Sequence, residues 1–149
     1  MTVREFCTRD VVITNKGSSI TEVAQLMRKY HVGDVVVVER RDEQNIPVGI
    51  ITDRDIVVQL IARGMAPDAV TAGEVMSSEL IVARENEGIW YTMQQMRGKG
   101  VRRIPVVNDD GGLEGILAVD DLVELLGQEL TLLARVAAQG RAMERLQQE

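Results

Sequence analysis

The sequence predicts a mixed α/β chain built from two β-α-β-β-α repeats followed by a C-terminal helix. Three observations carry this expectation. Residues 49–57, GIITDRDIV, return at 115–123 as GILAVDDLV, an offset of 66 (115 − 49 = 66). Upstream the offset is 69 (89 − 20 = 69): Ile20 falls on Ile89, Met27 on Met96 and Val32 on Val101, and CTRDVVIT (7–14) lies over MSSELIVA (76–83). The offset changes only across a polar hairpin, RRDEQNIP (40–47) in the first copy and DDGG (109–112) in the second. A length change confined to a loop is the mark of a genuine repeat.

Each copy opens with a short apolar strand, Val11–Thr14 or Leu80–Ala83. A helix follows whose apolar residues recur every three or four positions: Ile20, Val23, Ala24 and Met27 in one copy, Ile89, Met93 and Met96 in the other. Two strands come next, Asp34–Glu39 with Val48–Thr52 and Ile104–Asn108 with Leu113–Ala118. The run VVVV at 35–38 is apolar at consecutive positions, which suits a strand covered on both faces. A second helix closes each copy, Arg54–Ala62 or Asp120–Leu126, with Gly64 and Gly127 placed to end it in a left-handed cap. The chain therefore divides into repeat one (1–64), a linker (65–73), repeat two (74–127) and a helical extension (128–149). A unit of about 60 residues buries little surface alone, so the copies are expected to pack together.

Composition narrows the function. The net charge of −6 disfavours nucleic acid and gives an acidic membrane no hold on the chain. No apolar stretch approaches the roughly 20 residues that span a bilayer, and the N-terminus is too charged for a signal peptide. One cysteine, Cys7, and one histidine, His31, cannot build a Cys/His zinc site and make a poor nucleophilic pair. With no disulfide possible within the chain, a reducing cytoplasm is the simplest location. No Walker or dinucleotide glycine motif occurs. A non-enzyme is expected.

The duplicated β-α-β-β-α pattern, with VRRIPVV before one hairpin and GIITDRDIV after the other, resembles the tandem CBS-domain pair, or Bateman module, of the stand-alone type. The resemblance covers residues 3 to about 127. It implies two repeats packed as a pseudo-two-fold disc with two clefts at their junction. Such clefts bind adenosyl ligands: AMP, ADP, ATP, S-adenosylmethionine or dinucleotides such as NAD. It implies a regulatory sensor with no obligatory cofactor, a homodimer, and a regulated partner protein. The alternative is a structural interaction module whose clefts stay empty.

The residues of TDRD admit two readings. Thr52 and Asp55 have the spacing of a helix capping box, with the hydroxyl and the carboxylate each satisfying a backbone N–H. The resemblance instead gives Asp55 the ribose hydroxyls and Thr52 a phosphate, roles that a bidentate acceptor and a helix N-terminus suit. Both can hold at once. In the second copy Ala118 replaces the threonine while Asp121 remains, a carboxylate kept without its capping partner. By family geometry the Asp55 cleft draws on Arg54, Ser78, Leu80, Ile81 and Val101, and the Asp121 cleft on Thr8, Val11, Val12 and Val32. Arg102 and Arg103 occupy positions that contact phosphate in the family, where the first copy has Gly33 and Asp34. Loss of the threonine and gain of Asp120 make the Asp55 cleft the better expected site; the Arg102–Arg103 pair is the counterweight, and would reverse that order or reach across to serve both clefts.

Trp90 and Tyr91 read as core or interface residues, and Met93 and Met96 as core. The extension carries Leu126, Leu130, Leu133, Ala137, Met143 and Leu146 at helical spacing. An isolated helix of this length is marginal in water, so its stripe should pack on the repeats or on a second copy.

Overall fold

A computed structural model describes residues 1–77 and 79–148. The chain divides into two units, residues 1–117 and 118–149. The first holds two three-stranded sheets. The second is helical.

In the first repeat, β1 (Ile13–Thr14) runs parallel to β2 (Asp34–Arg41), and β2 pairs antiparallel with β3 (Gln44–Thr52). In the second, the order is β4 (Ala83–Arg84), β5 (Arg103–Val107) and β6 (Leu113–Ala118), with β4 parallel to β5. The mixed α/β class and the doubled sheet follow the sequence reading. Both leading strands are shorter than expected: residues 11–12 and 80–81 line cavities, although the Val12 carbonyl still accepts from Val36 N–H at 3.0 Å.

The first hairpin is longer than expected. Its strands run to Arg41 and Gln44 and turn on Asp42 and Glu43, at φ 47° and 64°. Two successive left-handed residues make the tight turn whose twist matches antiparallel strands. The arm is polar on both faces and reads as loop. Its ladder is supported by an Arg40–Asn45 side-chain bond across the strands and by Glu39 between Lys16 and Arg41.

Helix α2 (Ile20–Tyr30) starts in a capping box, with Ser19 Oγ accepting from Glu22 N–H and Glu22 Oε2 accepting from Ser19 N–H. Ile20, Val23 and Met27 are buried, with Leu26 half-buried beside them and Ala24 exposed. Helix α5 (Ile89–Lys99) buries Ile89, Thr92 and Met96. Thr92 takes the inward place by donating its hydroxyl to the Gly88 carbonyl, Met93 is half-buried, and Trp90 and Tyr91 are exposed rather than core.

Two short helices, α1 (Val3–Phe6) and α4 (Ala72–Val75), precede the repeats and reach across. Val3 N–H donates to Glu87 O and Ile89 N–H to Met1 O, so the N-terminal segment clasps the start of α5. The matching segment of the second copy does the same to the first: Ala72 N–H donates to Ser18 O and Ile20 N–H to Val70 O. Val70 and Ala72, at the edge of the expected linker, belong to a core with Ile20, Val35, Ile51 and Leu60. Each repeat is thus completed by the lead-in of the other.

The clasp explains why both copies carry glycine after the hairpin. Thr8 and Ile116 exchange two backbone bonds of 2.9 Å, and a Cβ on Gly115 would lie 2.7 Å from the Thr8 carbonyl oxygen. A Cβ on Gly49 would meet Met76, the repeat counterpart of Cys7.

After β3 the chain is helical to Arg63: α3 (Asp53–Asp55), a π-helical turn over Ile56–Leu60 and a 3-10 turn over Ile61–Arg63. Gly64 ends it at φ 69°, the left-handed cap expected. Gly127 does not. Helix α6 runs unbroken from Val119 to Gln148, through both Gly127 and Gly140. Each glycine costs about 1 kcal/mol relative to alanine, and the Leu, Ala, Glu, Gln and Arg around them are strong helix formers that outweigh it.

Candidate functional site

The end of β3, the start of α3 and the two segments flanking α5 enclose a cleft of about 430 Å³ within the first unit. Thr52, Arg54 and Asp55 form one wall, Leu80 and Ile81 another, and Val101, Arg102 and Arg103 a third. The fold therefore gathers eight of the residues singled out in the sequence, from positions up to 51 apart (103 − 52 = 51). Ser78 lies outside the described residues. Asp121 stands in the first turn of α6, in the other unit.

The capping box is formed. Asp55 N–H donates to Thr52 Oγ1 at 3.1 Å, and Thr52 N–H donates to Asp55 Oδ2 at 2.9 Å. One carboxylate oxygen holds the helix. The group has two oxygens and about four lone-pair sites, so the cap leaves acceptor capacity. Leu80, Ile81 and Val101 are half-buried and offer an apolar surface opposite the polar wall. A planar ring against that surface and hydroxyls near the carboxylate are what such a cleft can hold.

Reading the sequence missed Ile50, Asp53, Ser77, Glu79 and Gly100, which also line the cleft. Asp53 turns its carboxylate toward Gly33, where an added Cβ would be 3.2 Å from Oδ2. It also missed a bond across the repeats: Arg103 Nε lies 2.8 Å from Asp34 Oδ1. These two occupy the same place in the two copies at the offset of 69 (103 − 34 = 69), so opposite charges at equivalent positions were the available signal. Burial pushes the Asp34 carboxyl above the usual range, Arg103 draws it back, and Asp53 adds to the rise. A raised value favours the folded chain at acidic pH, and that contribution fades as pH climbs through the carboxylate range.

A second cavity of about 660 Å³ is lined by Arg9, Asp10, Val11, Val12, Ile13, Leu26, Tyr30 and Val32. It contains the counterparts of Leu80, Ile81 and Val101. Thr8, expected there, is held in the Ile116 bridge instead. Arg9 is paired with Glu114 at 3.3 Å. Cys7, half-buried, has its thiol raised by burial, which opposes thiolate chemistry. No group of three or more metal-ligating side chains occurs among the described residues, and no helix there is long and apolar enough to cross a membrane.

The sequence profile of the CBS domain matches residues 3–62 and again 72–128. The chain belongs to the CBS domain family. As a CBS-domain pair it is 36% identical to the CBS domain-containing protein YhcV of Bacillus subtilis, over 80% of this chain and 81% of that one. It is also 36% identical to a Methanopyrus kandleri protein over 84% of its own length, but spans only 62% of that relative. Among solved structures, a CBS domain protein of Pyrobaculum aerophilum complexed with AMP superimposes with a TM-score of 0.74 at 28% identity, covering 82% of this chain and 90% of the other.

Proposed function

We propose that this CBS-domain pair is a non-catalytic sensor that binds an adenosyl nucleotide in the Thr52–Asp55 cleft and passes occupancy to a dimer partner or a regulated protein. The observation that carries this reading is the meeting of Asp55, with acceptor capacity beyond its cap, and the apolar Leu80–Ile81–Val101 surface across one cleft. The AMP complex of the Pyrobaculum relative supports the ligand class. In this reading Asp55 accepts from the ribose hydroxyls, the base lies on the apolar surface, and Thr52 with Arg54 meets the first phosphate. The Asp121 cleft binds more weakly in this proposal, since Ala118 stands where the first copy has the Thr52 hydroxyl and Asp120 where it has the Arg54 cation. A single half-buried thiol suits a cytoplasmic setting.

Thermal shift against AMP, ADP, ATP, NAD and S-adenosylmethionine tests the reading. At a hundred times Kd a ligand stabilises by about 2.7 kcal/mol, a shift of several degrees for a domain of this size. A melting temperature unmoved by every ligand at millimolar concentration favours the alternative, an interaction module with empty clefts.

Signalling needs two arrangements that the ligand distinguishes. A homodimer supplies them in this proposal. On α6, Leu130, Leu133 and Val136 are 68%, 65% and 63% exposed, and water disfavours such surface by about 25 cal/mol per Å². Two-fold pairing is the commonest cover. Deleting residues 128–149 should shift the light-scattering mass from dimer toward monomer while the melting transition persists, since both sheets lie before Val119. A full-length monomer at tens of micromolar would refute the dimer.

A further inference from the structure

The cations of the cleft are not equally available. The described wall carries three guanidinium groups, from Arg54, Arg102 and Arg103, and three carboxylates, from Asp53, Asp55 and Glu79. Asp34 stands behind this wall and grips Arg103 from the other repeat at 2.8 Å. Its side chain is 13% exposed against 32% for Arg103, so the pair is partly shielded and screened less than a surface pair. Counting Asp34, the acids around the cleft outnumber the bases by one. Each phosphate beyond the first adds negative charge and calls for a cation that is already engaged.

We propose that Asp34, by holding Arg103, sets the number of phosphates the cleft accepts and tunes it to an adenosyl ligand bearing one phosphate rather than three. The inference rests on the reading of this cleft as an adenosyl site. Asp34 is a positioning residue: it does not line the cleft, and acts through a side chain that does. Asp34 holds the Nε edge of Arg103 and offsets its charge, so a distal phosphate meets a largely neutralised guanidinium and gains its full charge only by displacing Asp34. That would strand a half-buried carboxylate near Asp53, whose charge already opposes ionisation of Asp34. Removing one member of such a pair is costly because the other stays desolvated, and a cost laid on the wrong ligand is a source of specificity. A monophosphate served by Thr52 and Arg54 leaves the pair intact.

Calorimetric titration of the full chain with AMP and with ATP, without added metal, tests this. The unmodified protein should bind AMP more tightly than ATP, a readout that needs no variant. Asp34→Asn should raise ATP affinity relative to AMP about tenfold, the gain expected from releasing one charge-assisted contact. Asp34→Glu, which keeps an acid for Arg103, should retain the original preference. A merely structural role for Asp34 would weaken both ligands together. A tighter ATP than AMP complex in the unmodified protein, or an Asp34→Asn ratio within twofold of the original, overturns the inference while leaving the adenosyl site standing. Failure of the unmodified protein to bind either nucleotide brings down both.

Discussion

Asp55→Ala should weaken AMP binding by tenfold or more. A carboxylate accepting from two ribose hydroxyls makes charge-assisted bonds worth roughly 1.5–3 kcal/mol, and 1.4 kcal/mol is a factor of ten. The same change removes one arm of the capping box, since Thr52 N–H loses its 2.9 Å acceptor, so some loss of stability accompanies it. Asp55→Asn separates the two effects. An amide oxygen can still receive the Thr52 N–H, while the charge that favours the ribose is gone. The expected pattern is a large drop in affinity for both variants and a clear drop in melting temperature for Asp55→Ala alone. Asp121→Ala should matter less than either. If AMP binds Asp55→Ala and the parent equally, Asp55 is a helix cap and nothing more.

Gly115→Ala should cost about 1–3 kcal/mol of stability, the range for forcing atoms into a packed site. The obstacle is backbone, not a pliable side chain. The new methyl would sit 2.7 Å from the Thr8 carbonyl oxygen and 2.9 Å from Cys7 Sγ, and Thr8 is pinned by both of its bonds to Ile116. Gly49→Ala provides the internal comparison. It meets Met76, whose Cβ at 2.7 Å moves only with its backbone, but there the matching clasp is a longer bond of 3.5 Å from Ser77 N–H to Ile50 O. That looser neighbour should yield further and the variant should lose less. Urea unfolding of both variants reads the difference as a midpoint shift at constant slope. An unshifted Gly115→Ala midpoint would mean that the lead-in segment is free to move away.

The fold was legible because the sequence states it twice. Matching Ile20 to Ile89 and Gly49 to Gly115 places every sheet and the first helix of each copy, since apolar periodicity survives where identity does not. What escaped depended on distance or on context. The exposed hairpin arm, Glu39–Ile46, has no apolar alternation to announce a strand, and only the left-handed pair Asp42 and Glu43 reveals the turn. Gly127 looked like a stop because glycine commonly is one, yet a cap needs the chain to turn, and the residues beyond it prefer helix. Thr92 was hidden because a polar residue reads as outward unless its hydroxyl has a carbonyl to bond. The reciprocal clasp was invisible for another reason. Sequence shows that Val3 and Ala72 are equivalent but not which copy each one packs on.

The candidate cleft divides in the same way. Thr52, Arg54 and Asp55 are close together in the chain and stood out as a motif, whereas Leu80, Ile81 and Val101 came from the resemblance to the CBS-domain pair and not from the pattern of residues itself. The Asp34–Arg103 bond required two positions to be compared for charge rather than for likeness. Asp53, wedged between two marked residues, was passed over because the motif already had an acid.

The most direct test is a map of where AMP binds. In amide nitrogen–proton spectra of the labelled full chain, titration with AMP should move the signals of Thr52–Asp55, Leu80, Ile81 and Val101 together, with saturation at a common Kd. Signals of the exposed α6 segment should move only if occupancy is passed on to the helix. No perturbation at millimolar AMP, or perturbation that bypasses the Thr52–Asp55 turn, would contradict a nucleotide site at this cleft.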